Sequence, residues 1–483
     1  MKTFLRIAIL TVLAAVYTST HAQTVKASYK TDLHIVSTND MHAAFEKLPQ
    51  MAAIVDSLRC LDKDLLVLCA GDSRTGHPIN DLYPNTSYPM ISLMNLIGFD
   101  CTTFGNHEFD SHQDGLARNI NESNFPYICA NISADAELGI QTTPYKFFDV
   151  KGVRVCVLGV VQIGSHGRPD THPKNVVGFT FAPVEETIQK YLYLRDECDV
   201  FILLSHIGFE DDVKVAEKFP QFDLIVGGHS HTQLEGGEIH NGVLITQNVN
   251  KLKRLTYTTL TVENGKVTNK QAKNIEIENY PKKNVAAQSL VNFFSDNPEL
   301  GKVLAQAVTP FSSYEELGCL MCDAIRDISG SDISFCNAGG VRYEEHPAGD
   351  FTVSDVLRLD PFGNNAVVMN ITGKELKDML IACFNADENR FPYTSGVTCH
   401  VTYTDSKRSA IKSLKVLGPD GKEINPKKTY KVVGNSYATT VSNSPRKDQG
   451  EDTNIATSDM LMSYLKKVQK IDYQGKTCLK EIF

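Results

Sequence analysis

The stretch TFGNHEFD, residues 103–110, places an amide, an imidazole and two carboxylates in one turn behind a short apolar run. Asn106 can offer a carbonyl oxygen to a metal, His107 can carry a proton, and Asp110 is near enough in sequence to orient that ring. Oxygen and nitrogen donors of this kind suit a divalent cation that polarises a phosphoryl or carbonyl oxygen. Working outward, the same arrangement recurs four times. Residues 33–38 read as a strand ending at Asn39-Asp40-Met41-His42, and residues 65–70 as a buried strand ending at Gly71-Asp72. Residues 200–204 run into Ser205-His206, and residues 224–226 into Gly227-Gly228-His229-Ser230-His231.

Between these runs lie amphipathic helical segments, so residues 28–262 describe an α/β layered domain. Ligands of open α/β sheets gather beyond the carboxyl ends of the strands, and all five polar segments point to that rim. The spacing suggests two cations. Asp40 and His42 are two residues apart and can share one side of a turn. Asp72 has two carboxylate oxygens and can bridge cations about 3.5–4 Å apart. No cysteine joins the set, which favours Zn, Mn, Fe or Co over a thiolate structural zinc site.

A chain of 483 residues is too long for one ordinary core, so two domains are expected. Hydrophobic residues at 42% and charged ones at 22% describe a soluble globular protein. Residues 1–22 stand apart: Lys2 and Arg6 precede an apolar run that ends in the small-residue site Thr20-His21-Ala22, the pattern of a secretory signal. Its removal leaves 46 basic against 57 acidic residues, a net charge of −11. That balance argues against nucleic-acid polymers as partners. No later run is apolar enough to span a membrane. Export to the periplasm or the extracellular space would allow the 12 cysteines to form disulfides. Cys69, Cys156 and Cys336, however, sit in apolar strand-like runs where a buried thiol is the simpler expectation.

Residues 263–284 are polar and Lys-rich, so the exit from the first domain is placed there. Residues 284–307 read as a connecting helix interrupted near Pro298, completing a linker over 263–307. A second, smaller α/β domain is expected over 308–483. It opens with a helix over 314–328 and a strand over 333–336 that ends in CNAGGVR, residues 336–342, a tight turn bringing backbone amides and Arg342 towards an anion, with Asn337 a candidate substrate contact. LDPFGN, residues 359–364, precedes a strand over 365–371 and a helix opened by the capping box of Thr372 and Glu375.

The ordered set D-x-H, GD, GNHE, a lone His and GHSH resembles the calcineurin-like metallophosphoesterases. With NDMH, GNHEFD, GGHSHT, NAGGVR and PFGN, the chain resembles the 5′-nucleotidase family over nearly its whole length. The resemblance implies a layered α/β/β/α metallophosphoesterase sandwich followed by a substrate-binding domain, with hinge rotation at the linker. It implies two divalent metal ions, Zn or Mn, one held by Asp40, His42, Asp72 and His231 and the other by Asp72, Asn106, His206 and His229. His107, supported by Asp110, would stabilise or protonate the leaving oxygen. Phe362, with Asn364 beside it, and Tyr437 would sandwich a base, while Arg342 would hold phosphate. The implied activity is hydrolysis of nucleoside 5′-phosphates. Cyclic nucleotides, sugar nucleotides or sulfur-linked esters are the alternatives within the enzyme class, and a non-catalytic ligand-binding protein is the alternative outside it. Two departures loosen the substrate assignment. TTVSNSPRKDQGED, residues 439–452, replaces the family's GGDG-type turn and its ribose-holding aspartate. Phe311-Ser312-Ser313 stands where a phosphate-binding arginine is usual.

Overall fold

The computed structural model describes residues 29–164 and 166–483, so the expected signal segment lies outside the described residues. A five-stranded sheet runs in the order Lys266–Glu276, Arg254–Glu263, Lys30–Thr38, Leu66–Cys69, Cys101–Thr102. A six-stranded sheet runs in the order Glu238–His240, Val243–Thr246, Leu224–Val226, Val200–His206, Val153–Val161, Tyr145–Val150. Side chains alternate across these strands, and the alternation builds the layers. Leu33, Ile35, Leu66 and Leu68 point inward to meet Val155, Val157, Ile202 and Leu204 of the other sheet. Val36, Val67 and Cys69 point the other way and pack beneath the helices Leu48–Arg59 and Tyr88–Ile97. On the far side, Cys156, Leu158, Phe201 and Leu203 are covered by Ile188, Val215 and Ala216 of two further helices. The first part of the chain is thus a helix–sheet–sheet–helix sandwich.

Two details of the expected linker change. Residues 263–284, expected from their polar, Lys-rich composition to be the exit from the first domain, contain the strand Lys266–Glu276. Among the described residues it is the outer strand of the first sheet, paired only with Arg254–Glu263, and it exposes most of its polar residues. The connecting helix is also shorter than its pattern suggested. It runs over Val285–Ser295, capped by Asn284, whose side chain accepts the Ala287 N–H. Pro298 then opens a short 3-10 turn, and Val303–Ala307 is a strand paired with Gly349–Thr352. Ala287, Val291 and Phe294 bury against the first core, so this helix belongs to the first unit by packing.

The second unit centres on a mixed sheet in the order Tyr393–Ser395, Ile333–Cys336, Thr429–Asn435, Asn365–Thr372, Glu451–Ala456. Helix Tyr314–Ser329 and helix Gly373–Ala386 cover it, the latter opened by the Thr372–Glu375 capping box. Cys69, Cys156 and Cys336 are buried strand residues, and among the described residues, which include all 12 cysteines, none is disulfide-bonded. Among the described residues no helix is long and apolar enough to cross a membrane.

Candidate active site

Each segment of the first unit leaves its strand at the same rim. Asp40 and His42 follow Lys30–Thr38, Asp72 follows Leu66–Cys69, His206 ends Val200–His206, and His229 and His231 follow Leu224–Val226. Asp40, His42, Asp72, His229 and His231 all have left-handed backbone, with φ between 44° and 77°. This conformation is uncommon without glycine and costs on the order of 1–3 kcal/mol per residue. It tightens each turn so that the side chains converge. The approach is close enough to require glycine at 105, where a Cβ would lie 2.1 Å from Asp72 Oδ1. Glu108 clamps two of the turns together, its carboxylate accepting the N–H groups of Asp72, Ser73 and Gly105 at 2.8, 2.8 and 2.6 Å.

At the centre, His206 Nε2 lies 3.2 Å from Asp72 Oδ2 and 3.9 Å from Asp40 Oδ1. His231 Nε2 lies 3.3 Å from Asp40 Oδ1 and 3.2 Å from His42 Nε2. His229 Nδ1 is 3.0 Å from Asn106 Oδ1. Adjacent ligand atoms about 2.0–2.2 Å from a shared cation stand roughly 3 Å apart, so these separations fit metal spheres. Second partners fix the rings: His42 Nδ1 donates to the Thr75 carbonyl at 3.0 Å and His206 Nδ1 to the Ala70 carbonyl at 2.6 Å. Each ring therefore keeps Nε2 for the centre, the orientation typical of a metal-ligating histidine.

The charge balance points the same way. Asp40 and Asp72 are buried side by side, and among the described residues His206 Nε2 is buried without a well-formed hydrogen bond. Burial alone would lower the His206 pKa, yet the facing Asp72 and Asp40 raise it to about 10. Burial likewise works against ionised Asp40, but His231 and His206 hold its carboxyl well below the usual range. The pocket thus demands positive charge where the carboxylates meet, and the donors present fit divalent cations. Three groups have ligand atoms close enough to hold one: Asp40 with His42 and His231, Asp40 with Asp72 and His206, and His42 with Asp72 and His107. His206 and Asp72 thus fall together, as do Asn106 and His229. A fourth group joins His229 to Asp170 and Glu388.

His107 Nδ1 is 2.7 Å from Asp110 Oδ2, and Asp110 also accepts the hydroxyls of Thr75 and Thr171, each at 2.9 Å. The ring is thereby fixed with Nε2 left for chemistry. Phe362 stacks beside it, ring centroids 5.7 Å apart. Arg342 reaches over from the second unit, its Nη2 3.3 and 3.4 Å from the His42 ring nitrogens, while its Nε is buried without a partner among the described residues. A buried unsatisfied guanidinium nitrogen beside a cation site is poised for an anion.

A cavity of about 480 Å³ separates the two units. Asp72, Asn106, His107, Asp110, His229 and His231 line one wall, and Asn337, Arg342, Phe362, Asn364 and Tyr437 line the other. Asp40, His42 and His206 lie buried beneath. The two asparagines have a further task. Asn337 Oδ1 accepts from Asn435 Nδ2 at 3.0 Å and Asn364 Oδ1 from the Ser436 hydroxyl at 3.1 Å. They brace the strand–helix junction that presents Tyr437.

Sequence reasoning does not single out the remainder of the lining. Asp170, Thr171, His172 and Lys174 come from one loop, and Asp387, Glu388 and Arg390 from the turn after helix Gly373–Ala386. The charged run Asp387-Glu388-Asn389-Arg390 is the one visible signal. Within the replaced ribose segment, Asp448 accepts the Asn370 N–H at 2.7 Å and Asp452 the Asn365 side chain at 3.1 Å. Those carboxylates serve the neighbouring strand, and neither lines the cavity.

Residues 33–233 match the calcineurin-like phosphoesterase family and residues 300–443 match the 5′-nucleotidase C-terminal domain. The chain is similar to a 5′-nucleotidase of Vibrio cholerae, 25% identical over 553 residues that cover 98% of this chain and 97% of that protein. It is also similar to the trifunctional nucleotide phosphoesterase protein YfkN of Bacillus subtilis, 24% identical over 517 residues. That match covers 94% of this chain but 35% of YfkN, so the chain spans about a third of that relative. The crystal structure of a 5′-nucleotidase precursor from Thermus thermophilus superposes with a TM-score of 0.83 at 23% identity, covering 94% and 99% of the two chains. At that identity the likeness is one of fold.

Proposed function

The chain belongs to the calcineurin-like phosphoesterases that carry a 5′-nucleotidase C-terminal domain, a metal-dependent phosphoester hydrolase, and on that footing we propose that it hydrolyses nucleoside 5′-phosphates to nucleoside and phosphate. We propose further that it works with two divalent cations, Zn or Mn, after export from the cytoplasm. Asp40, His42, Asp72 and His231 would hold one cation, and Asp72, Asn106, His206 and His229 the other. Such a pair would polarise the phosphoryl oxygen and supply a nucleophile from water at neutral pH.

The chain's own residues do the rest. Arg342 binds the phosphoryl group from the side opposite the cations, where its unpartnered Nε gains an acceptor. His107, held by Asp110, gives a proton from Nε2 to the leaving alcohol oxygen. Phe362 and Tyr437 bind the base, and its burial between them excludes water from that side of the cavity. The single observation that carries this reading is the placement of Arg342. One guanidinium lies over the cation-ligand wall, and its carbon is 5.5 Å from the centroid of the Phe362 ring. It thus joins a phosphate position to a base position within one cavity. Turnover of nucleoside monophosphates, cyclic nucleotides and sugar nucleotides, each with and without Mn²⁺ or Zn²⁺, tests it. Metal-dependent release of phosphate fastest from the monophosphates is expected; faster turnover of another ester class would reassign the substrate.

A further inference from the structure

The turn after helix Gly373–Ala386 reaches across the cavity to the opposite unit. Glu388 Oε1 lies 3.0 Å from His229 Nε2. The other face of the same ring is already engaged, with Nδ1 3.0 Å from Asn106 Oδ1. Asn106 is itself fixed, since its Nδ2 donates to the Asp170 carbonyl at 3.0 Å, which turns Oδ1 towards the histidine. The contact on Nε2 is built with some effort. Glu388 and Asn389 both have left-handed backbone, φ 50° and 57°, and a glutamate gains nothing local from that conformation. Arg390 Nη2 holds Glu388 Oε2 at 3.2 Å and Asp387 Oδ1 at 3.2 Å. Asp387 in turn accepts the Gly339 N–H at 2.9 Å, in the turn that carries Arg342. A relay of contacts therefore joins the Gly339 turn of the second unit to His229 of the first.

We infer that Glu388 is a positioning residue for the metal centre, supplied by the second unit. It accepts the Nε2–H of His229 and so leaves the Nδ1 lone pair directed to the cation shared with Asn106. Metal-ligating histidines commonly give their other N–H to a carboxylate, which fixes the tautomer and raises the ligand's basicity; losing such a partner typically costs 10–100-fold in metal affinity. This inference rests on the two-cation reading. It adds that one of the two sites depends on a carboxylate supplied by the second unit.

The test is calorimetric titration of the chelator-stripped full chain with Mn²⁺, comparing wild type with Glu388→Ala, Glu388→Gln and Arg390→Ala. In Glu388→Ala one site should weaken by about 10–100-fold while the other keeps its affinity. Glu388→Gln should fall between that and wild type, because an amide still accepts the N–H but is less basic. Arg390→Ala should weaken the same site by less. The melting temperature of the metal-free protein should be the same in all four, which separates positioning from a general loss of structure. Equal weakening of both sites, no weakening, or tighter binding in Glu388→Ala would overturn the inference. A wild type that binds fewer than two cations would overturn the two-cation reading, and this inference with it.

Discussion

The two walls of the cavity are held in different ways. On the first unit, the buried Asp40, His42 and Asp72 hang from strand ends in left-handed backbone, and their carboxylates crowd one another. On the second unit, Phe362, Tyr437 and Arg390 sit on turns and a helix start, and the side chains of Glu388 and Arg390 are 46% and 45% exposed. Strain and packed like charge lower stability, so the first wall is shaped by what it binds. The second wall carries less of this burden and can vary with less cost to the fold. The contrast implies that substitutions on the first wall alter whether the protein turns over any substrate, and those at Phe362 and Tyr437 on the second alter which substrate it prefers.

The largest effect should come from Asp72→Asn. Removing a carboxylate that faces both His206 and His42 would leave the two proposed cations less compensated. Metal analysis should show fewer than two tightly held equivalents and activity should vanish for every ester. Two retained equivalents with normal turnover would mean that the bridge lies elsewhere.

Next in size is His107→Asn, which should leave metal content intact and lower turnover by roughly 10²–10⁴-fold. The loss should shrink for nitrophenyl esters, whose leaving group needs little protonation. Equal losses for good and poor leaving groups would remove the proton from this residue's role.

Phe362→Ala marks the crossing from one wall to the other. Base stacking on an aromatic ring is worth about 1–3 kcal/mol, so kcat/KM for a nucleoside monophosphate should fall about 5- to 150-fold. Hydrolysis of p-nitrophenyl phosphate should hardly change. Because Phe362 also stacks beside His107, equal losses for both substrates would place the ring in support of His107 rather than of the base. Tyr437→Phe should give the smallest effect, under about 3-fold for either ester, since stacking uses the ring face. A larger change confined to nucleotides would show that the hydroxyl contacts the substrate.

How much of this is legible in the sequence differs between the walls for the same reason. Asp40, Asp72, His206 and His229 each follow an apolar run, so the strand end and the ligand type can be read together. Asp387, Glu388 and Arg390 follow a helix, where a charged run ordinarily means a solvated loop. Their placement depends on residues 229 and 339, far away in sequence, which no local pattern reports. The strand Lys266–Glu276 escapes a sequence reading because an outer strand needs few apolar residues. Val267, Ala272 and Ile275 are its partly buried ones, and a register shift at Thr261 and Val262 breaks the two-residue alternation. The strand Val303–Ala307 is hidden because the apolar spacing of residues 286–294 carries the helical reading past Pro298.

The order of strands in the first sheet sets a schedule for synthesis. Lys30–Thr38, which carries Asp40 and His42, lies between Leu66–Cys69 and the antiparallel Arg254–Glu263, pairing Lys30 with Glu263. The earliest of the proposed ligands must therefore wait for a strand translated more than 200 residues later before their sheet is complete. At about 5–20 residues per second, that wait is on the order of 10–50 s after initiation. A nascent chain meeting a metal ion during that interval has only fragments of the ligand set to offer, so stable loading must follow translation of this strand.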